Sequence, residues 1–184
     1  MPYRLTKIYT RKGDGGFTTL RDKPISKDDL LVEAVGTVDE LNATIGMVVA
    51  LKPNLPDVET ALTRIQNDLF DFGGELHLPE HIAITAEKVT YLERQLDEWN
   101  NTLPPLKEFL LPRGTPASAA CHIARTVCRR AERCLVRMHR QVPLSNMELL
   151  HYLNRLSDFL FVCARVLARE SQSEEKMWER EKGA

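Results

Sequence analysis

From Ala117 to Met138 the chain runs without a proline or glycine, about six turns of helix if the segment is helical. No sheet in an ordinary domain uses a strand of that length, so this stretch constrains the fold most. Thr115 stands where an N-cap belongs, and Pro116 takes the first helical position, where its missing N–H costs nothing. Ala120, Val127, Ala131, Cys134 and Met138 gather on one side. At 100° per residue, Arg125, Arg129, Glu132 and Arg133 fall within an arc of roughly 100° on the other. Three guanidiniums share that arc with a single acid, so local pairing cannot neutralise them. Two readings fit. One is a solvated surface face, which suits Arg130 and Arg137. The other is a site for phosphate or carboxylate, which planar, forked guanidiniums recognise well. An apolar, proline-bounded approach, FLLPRGTP from Phe109, favours the second.

Four more segments carry helical spacing. Residues 30–52 read as a first helix stopped by Pro53, with Asp28 and Asp29 favouring its start. Small residues at Gly36, Ala43 and Gly46 would let another helix approach closely. Asp39 on this segment is either a solvent-facing acid or a partner for an arginine, on this subunit or across a subunit contact. Residues 57–77 place Leu62, Ile65, Leu69, Phe72 and Leu76 on one face. A third helix starts at Thr85, with Ile84 and Val89 spaced as a hydrophobic staple, and ends at 100–105. Ser145 and Glu148 have the spacing of a capping box for a last helix running to about Glu170. On that helix His151, Asn154, Asp158 and Arg165 lie within about 60°, the spacing of either a buried polar network or a solvated stripe. With short links and no convincing strand ladder, the expected fold is all-α: a five-helix up-down bundle forming one domain. Residues 1–27 would form an N-terminal loop, 28–170 the bundle and 171–184 a charged, frayed tail, with the apolar Met177-Trp178 pair as its exception, able to fold back over another part of the chain.

The N-terminal stretch carries Gly13, Gly15 and Gly16 among basic residues, Asp14 and the hydroxyls of Thr10, Thr18 and Thr19. Closely spaced glycines permit the dihedrals that aim successive N–H groups at a phosphate oxygen. A glycine-rich turn in a structural hairpin is the other reading, and the GxxxxGK[ST] of a Walker loop is absent. Residues 21–29 read as a polar connection.

Other chemistries fall away. The 184 residues carry a net charge of −1, which gives no global attraction for nucleic acid. No apolar run approaches the length that spans a bilayer, and the start lacks a signal-peptide core, so a cytoplasmic protein is expected. Cys121, Cys128, Cys134 and Cys163 sit among apolar neighbours without a CxxC pair and read as reduced, buried thiols. A di-iron bundle needs two Glu-x-x-His motifs, and only Glu148–His151 exists. No GxSxG occurs. A polyphosphate shared by the glycine loop and the arginine helix remains.

Four segments in order, IYTRKGDGGFTTL, VGTVDELNATIG, FLLPRGTPASAACHIARTVCRRAER and YLNRLSDFLFVCAR, resemble the PduO-type ATP:cob(I)alamin adenosyltransferases, from Ile8 to about Arg169. The resemblance implies a homotrimer with active sites between subunits. The reaction it implies is transfer of the 5′-deoxyadenosyl group of ATP, with Mg²⁺, to the cobalt of cob(I)alamin, releasing triphosphate. It assigns ATP binding to Thr10, Arg11, Gly13, Asp14, Gly16, Thr18, Thr19 and Lys27 of the loop, and to Arg129, Glu132, Arg133 and Asn154 of the helices. Arg129 and Phe109 are implied as catalytic. Asp39 and Arg125 match an acid–arginine pair across the subunit interface. Phe109 matches the aromatic packed under the corrin ring, where it excludes the lower axial ligand of cob(II)alamin. A reductase would supply the electron, and no protein metal ligand is implied. Arg113-Gly114 departs from the Gly-Gly common in the family at this point.

Overall fold

The computed structural model describes residues 9–20, 22–51, 54–170 and 173–179. Five helices form the body: α1 (Leu30–Ala50), α2 (Pro56–His77), α3 (Ala86–Asn100), α4 (Pro116–Gln141) and α5 (Glu148–Glu170). Helix α4 packs most extensively, against α1 on one side and α5 on the other, while α2 lies against α1 and α3 against α5. Leu41, Ile45, Leu62, Ile65, Phe72, Leu153, Leu156 and Phe159 are fully enclosed between them, each stabilising the fold by about 1.5–3 kcal/mol relative to exposure. Pro53, the expected stop of α1, lies outside the described residues.

Small side chains bring α4 and α5 together. The Ser118 hydroxyl donates to the Ala164 carbonyl at 2.8 Å. The Cys121 and Cys128 thiols donate to the Leu160 and Leu153 carbonyls at 3.3 and 3.2 Å. All four cysteines are buried and free, and burial pushes the Cys128 thiol well above its usual range. One polar cluster crosses the core: the Tyr152 hydroxyl donates to Asp68 Oδ2 at 3.1 Å, and Lys88 Nζ meets Asp68 Oδ1 at 2.7 Å.

Most caps follow the sequence. Asp29 accepts from the Leu31 N–H and Thr115 from the Ser118 N–H, and Ile84 and Val89 are both buried as a staple requires. At α5 the expected capping box gives way. Asn146 Oδ1 accepts from the Glu148 N–H at 3.0 Å, while the Ser145 hydroxyl turns to the Pro79 carbonyl. Asn146 is the stronger cap because its amide also donates to Glu75 Oε1 and the Ile84 carbonyl, at 2.7 and 2.8 Å, and is fixed by both. At Gly46 an added Cβ would lie 3.1 Å from Gln66 of α2, the close approach expected there, but nothing lies within 4 Å of such an atom at Gly36.

The bundle also carries a short hairpin, where no strand ladder was expected; its turn lies at Asp22 and not at the glycine-rich stretch. β1 (Phe17–Leu20) pairs antiparallel with β2 (Lys23–Ser26), Phe17 opposite Ser26 and Leu20 opposite Lys23. Asp22, at φ 58°, takes the left-handed conformation in the tight turn between them. Strands of four residues, FTTL and KPIS, are too short to establish an alternation that reads as a ladder. Among the described residues no helix is long and apolar enough to cross a membrane.

Candidate active site

The loop before β1 is built by local backbone bonds. The Gly16 N–H donates to the Gly13 carbonyl at 3.2 Å, and the Lys27 N–H returns to the Gly16 carbonyl at 2.9 Å. Arg11 and Gly16 both take positive φ, 62° and 82°, the kind of turn in which amides converge on an anion. Gly13 packs closely, since a Cβ there would lie 3.0 Å from Lys27 Nζ and push the lysine tip aside. The Lys27 ammonium therefore lies directly over the glycine backbone, and the far end of the hairpin folds back on the loop. Thr10, Arg11, Asp14 and Thr19 are exposed, and Thr18 is half-buried.

On α4, the Arg125–Arg133 face emerges as the periodicity predicts. Glu132, half-buried, accepts from Asn154 Nδ2 of α5 at 3.0 Å, so two predicted site residues meet. Arg133 donates to the Arg129 carbonyl one turn back. Arg125 Nε is buried without a hydrogen-bond partner. Desolvation, and secondarily the Arg129 charge, draws the Arg125 pKa below its ordinary value. Arg130 differs: it forms an ion pair with Glu40 of α1. Asp39, one residue earlier, is exposed. Among the described residues no carboxylate pairs with Arg125, Arg129 or Arg133.

Arg125 and Arg129 open onto a groove of about 960 Å³ between the end of α3, the 101–106 segment, α4 and α5, with Arg155, Asp158 and Phe161 on its α5 wall. The expected network of His151, Asn154, Asp158 and Arg165 does not form as one unit. His151 pairs with Glu148, Asn154 with Glu132, Asp158 with Arg155, and Arg165 with Glu175. Each of these residues has a nearer partner, on its own helix, on α4 or in the C-terminal segment.

Phe109 lies on the segment joining α3 to α4, and its ring is 77% exposed. That segment's ordering partner is the C-terminal stretch, where the expected fraying gives way and the Met177-Trp178 pair folds back as its apolar character allows. Residues 173–179 run beside it: Leu110 bridges Met177, the Leu111 N–H donates to the Lys176 carbonyl at 2.9 Å, and the Trp178 N–H donates to the Phe109 carbonyl at 2.7 Å. Gly114, at φ 136°, closes the segment against α4 and α5, where a Cβ would sit 3.1 Å from Ser118 Oγ and 3.5 Å from Ala168 Cβ. Glycine at 114 thus has a steric reason, while Arg113 needs no positive φ. Beneath lies His122, 5% exposed. Desolvation, then the neighbouring Arg125 charge, lowers its pKa to about 4, so it is neutral at physiological pH.

Residues 8–167 match the family model described as cobalamin adenosyltransferase. The chain belongs to the cobalamin adenosyltransferase family. It is 48% identical over 184 residues to a cobalamin adenosyltransferase of Cupriavidus metallidurans, covering 99% of each chain. It is 41% identical to a corrinoid adenosyltransferase of Bacillus subtilis, over 90% of this chain and 88% of that one. In structure it resembles a phenylalanine-to-alanine variant of the PduO-type ATP:corrinoid adenosyltransferase from Lactobacillus reuteri complexed with cobalamin and ATP. The TM-score is 0.87 at 33% identity, with 95% of this chain and 100% of that one covered.

Within this cobalamin adenosyltransferase fold, one protomer joins only some of the predicted site. Glu132 meets Asn154, and Arg125 and Arg129 share the groove. Among the described residues, no hydrogen bond or ion pair connects the Thr10–Lys27 loop to the arginine face. Ile25 of the hairpin instead faces Met138, Gln141 and Val142 at the end of α4. Gln141 is 12 residues beyond Arg129, about 18 Å along the helix. The residues that sequence reading missed are Glu175 and its partner role to Arg165. Charged residues after the last helix gave no signal, because ion pairing across space leaves no periodicity.

Proposed function

We propose that this chain is an ATP:corrinoid adenosyltransferase that moves the 5′-deoxyadenosyl group of ATP to the cobalt of cob(I)alamin, at sites shared between subunits of a homotrimer. The observation that carries the reading is the face of α4: three guanidiniums without a carboxylate partner, one with a buried, unsatisfied N–H, in a chain whose relatives are adenosyltransferases. A triphosphate satisfies Arg129 and Arg133. Asp39 of a neighbouring copy satisfies Arg125. Glu132 and Asn154, already hydrogen-bonded, offer a fixed edge to the nucleoside. The Gly13–Gly16 loop, with Thr10, Arg11, Asp14, Thr18, Thr19 and Lys27, wraps the phosphates from the adjacent subunit. The separation of hairpin and arginine face within one protomer supports that division.

In the reaction, the Co(I) electron pair attacks C5′ and forms the Co–C bond. The C5′–O bond breaks, and its electrons leave with triphosphate. Cob(I)alamin is a strong nucleophile, so the protein's work is alignment and charge stabilisation. Arg129 stabilises the leaving charge. Mg²⁺ bound to ATP supplies further charge neutralisation. That ion would be carried mainly by the substrate phosphates, with Asp14 the loop's own carboxylate. Phe109 presents an apolar ring under the corrin, excluding water and the lower base. Cob(II)alamin held without axial ligands is then easier for a reductase to reduce, in a cytoplasmic setting.

Incubation with ATP, Mg²⁺ and chemically reduced cobalamin should convert the Co(I) spectrum to that of adenosylcobalamin. Folded protein that binds both substrates without this conversion would favour a carrier and end the enzymatic reading.

A further inference from the structure

Phe109 is poorly held by its own side chain. Its ring is largely exposed, and its N–H is bonded to the adjacent Glu108 carboxylate. Its carbonyl accepts from Trp178, and the two residues that follow pair with Met177 and Lys176. The position of Phe109 therefore depends on where residues 173–179 lie. That segment is anchored in turn by one buried residue of α5. Arg165 is 3% exposed. Its Nε meets Glu175 Oε1 at 2.7 Å and its Nη2 meets Glu175 Oε2 at 3.2 Å, a forked pair. The same Nη2 donates to the Pro104 carbonyl at 2.7 Å, at the start of the segment that carries Phe109. One guanidinium thus ties the entry of the Phe109 segment and the strand that pairs with its middle to a rigid helix. Gly114 fixes the exit.

We propose that the Arg165–Glu175 pair is a latch that sets the position of Phe109, making both positioning residues for the reaction. The catalytic part of this inference rests on the reading of Phe109 given above; the latch itself does not. With Glu175 neutralised, Arg165 keeps its charge with only the Pro104 carbonyl as hydrogen-bond partner, an arrangement that is disfavoured. The docked strand is therefore the favoured state, and Phe109 is held without its ring being packed. Lysine could not replace Arg165, because a single ammonium does not present the planar fork that serves both carboxylate oxygens and Pro104.

The test compares Glu175→Gln with Glu174→Gln, which makes the same charge change at an exposed neighbour. Amide hydrogen exchange at Leu111 and Trp178 reads the strand pairing without any substrate. Glu175→Gln should accelerate both by about tenfold or more, Glu174→Gln neither, and Glu175→Asp should recover part of the protection. Unchanged exchange in Glu175→Gln overturns the latch. The second readout is the electron-spin resonance signature of four-coordinate cob(II)alamin on the ATP-loaded protein. Its fraction should fall in Glu175→Gln while ATP affinity stays at the wild-type value. Accelerated exchange with an undiminished four-coordinate signal would overturn the positioning role. A wild-type protein that never gives the signal would sink the reading of Phe109, and the exchange data would still judge the latch.

Discussion

Asp39→Asn tests the shared site at its weakest point. Arg125 carries a buried N–H with no partner inside the protomer, and burial already opposes its charge. In a trimer, Asp39 of the next subunit would satisfy it. Removing that carboxylate leaves the guanidinium desolvated and unpaired at each contact. Truncating one partner of a buried interfacial charge pair costs about 2–5 kcal/mol, and a cyclic trimer repeats the contact at every interface. Even the lower figure weakens each contact about 30-fold. Sedimentation velocity over a dilution series should show Asp39→Asn dissociating at much higher concentration than wild type, with an unchanged protomer melting temperature. Asp39→Asn combined with Arg125→Met should recover part of the assembly, because the uncompensated charge is gone. Trimers of Asp39→Asn that persist to the wild-type dilution limit would refute the pairing.

Phe109→Ala should reduce turnover from cob(II)alamin under mild reduction by about 100-fold or more, in the range of a lost catalytic group, while ATP affinity is preserved; equal loss of both would contradict its placement on the corrin side. Gly114→Ala should destabilise by about 1–3 kcal/mol through backbone strain, with the contact to Ser118 adding to it, and melting curves would show this; an unchanged Tm would refute the steric argument. His122 is neutral when folded down to a pKa of about 4, whereas the unfolded chain takes up its proton near pH 6.5. Stability should therefore fall as pH drops from about 6.5 to 4, by about 2 kcal/mol after discounting for solvent screening. His122→Phe should flatten that part of the profile, and an unaltered slope would refute it.

The arginine face of α4 was legible because helical period alone decides which side chains share a side, and Arg125, Arg129, Glu132 and Arg133 needed no tertiary information. The five helices were legible for the same reason, each having an apolar stripe and a breaker near its ends. What escaped depends on contacts between distant segments. The β1–β2 hairpin, with strands of four residues, is too short to show a period. Asn146 displaced Ser145 as the cap of α5 because Glu75 and Ile84, far away in sequence, fix its amide. Arg165 was placed on a polar face, yet its partner proved to be Glu175 rather than its helical neighbours. The order of residues 173–179 follows from that ion pair and from the edge offered by Phe109–Leu111, neither of which local composition encodes.

Attack of cobalt on C5′ would release triphosphate intact. A single-turnover reaction of the protein with ATP, Mg²⁺ and cob(I)alamin, separated chromatographically, measures this directly. Adenosylcobalamin and triphosphate should form in equal amounts. Pyrophosphate and phosphate appearing in step with product formation, or ATP and cob(I)alamin recovered unreacted from the bound complex, would contradict it.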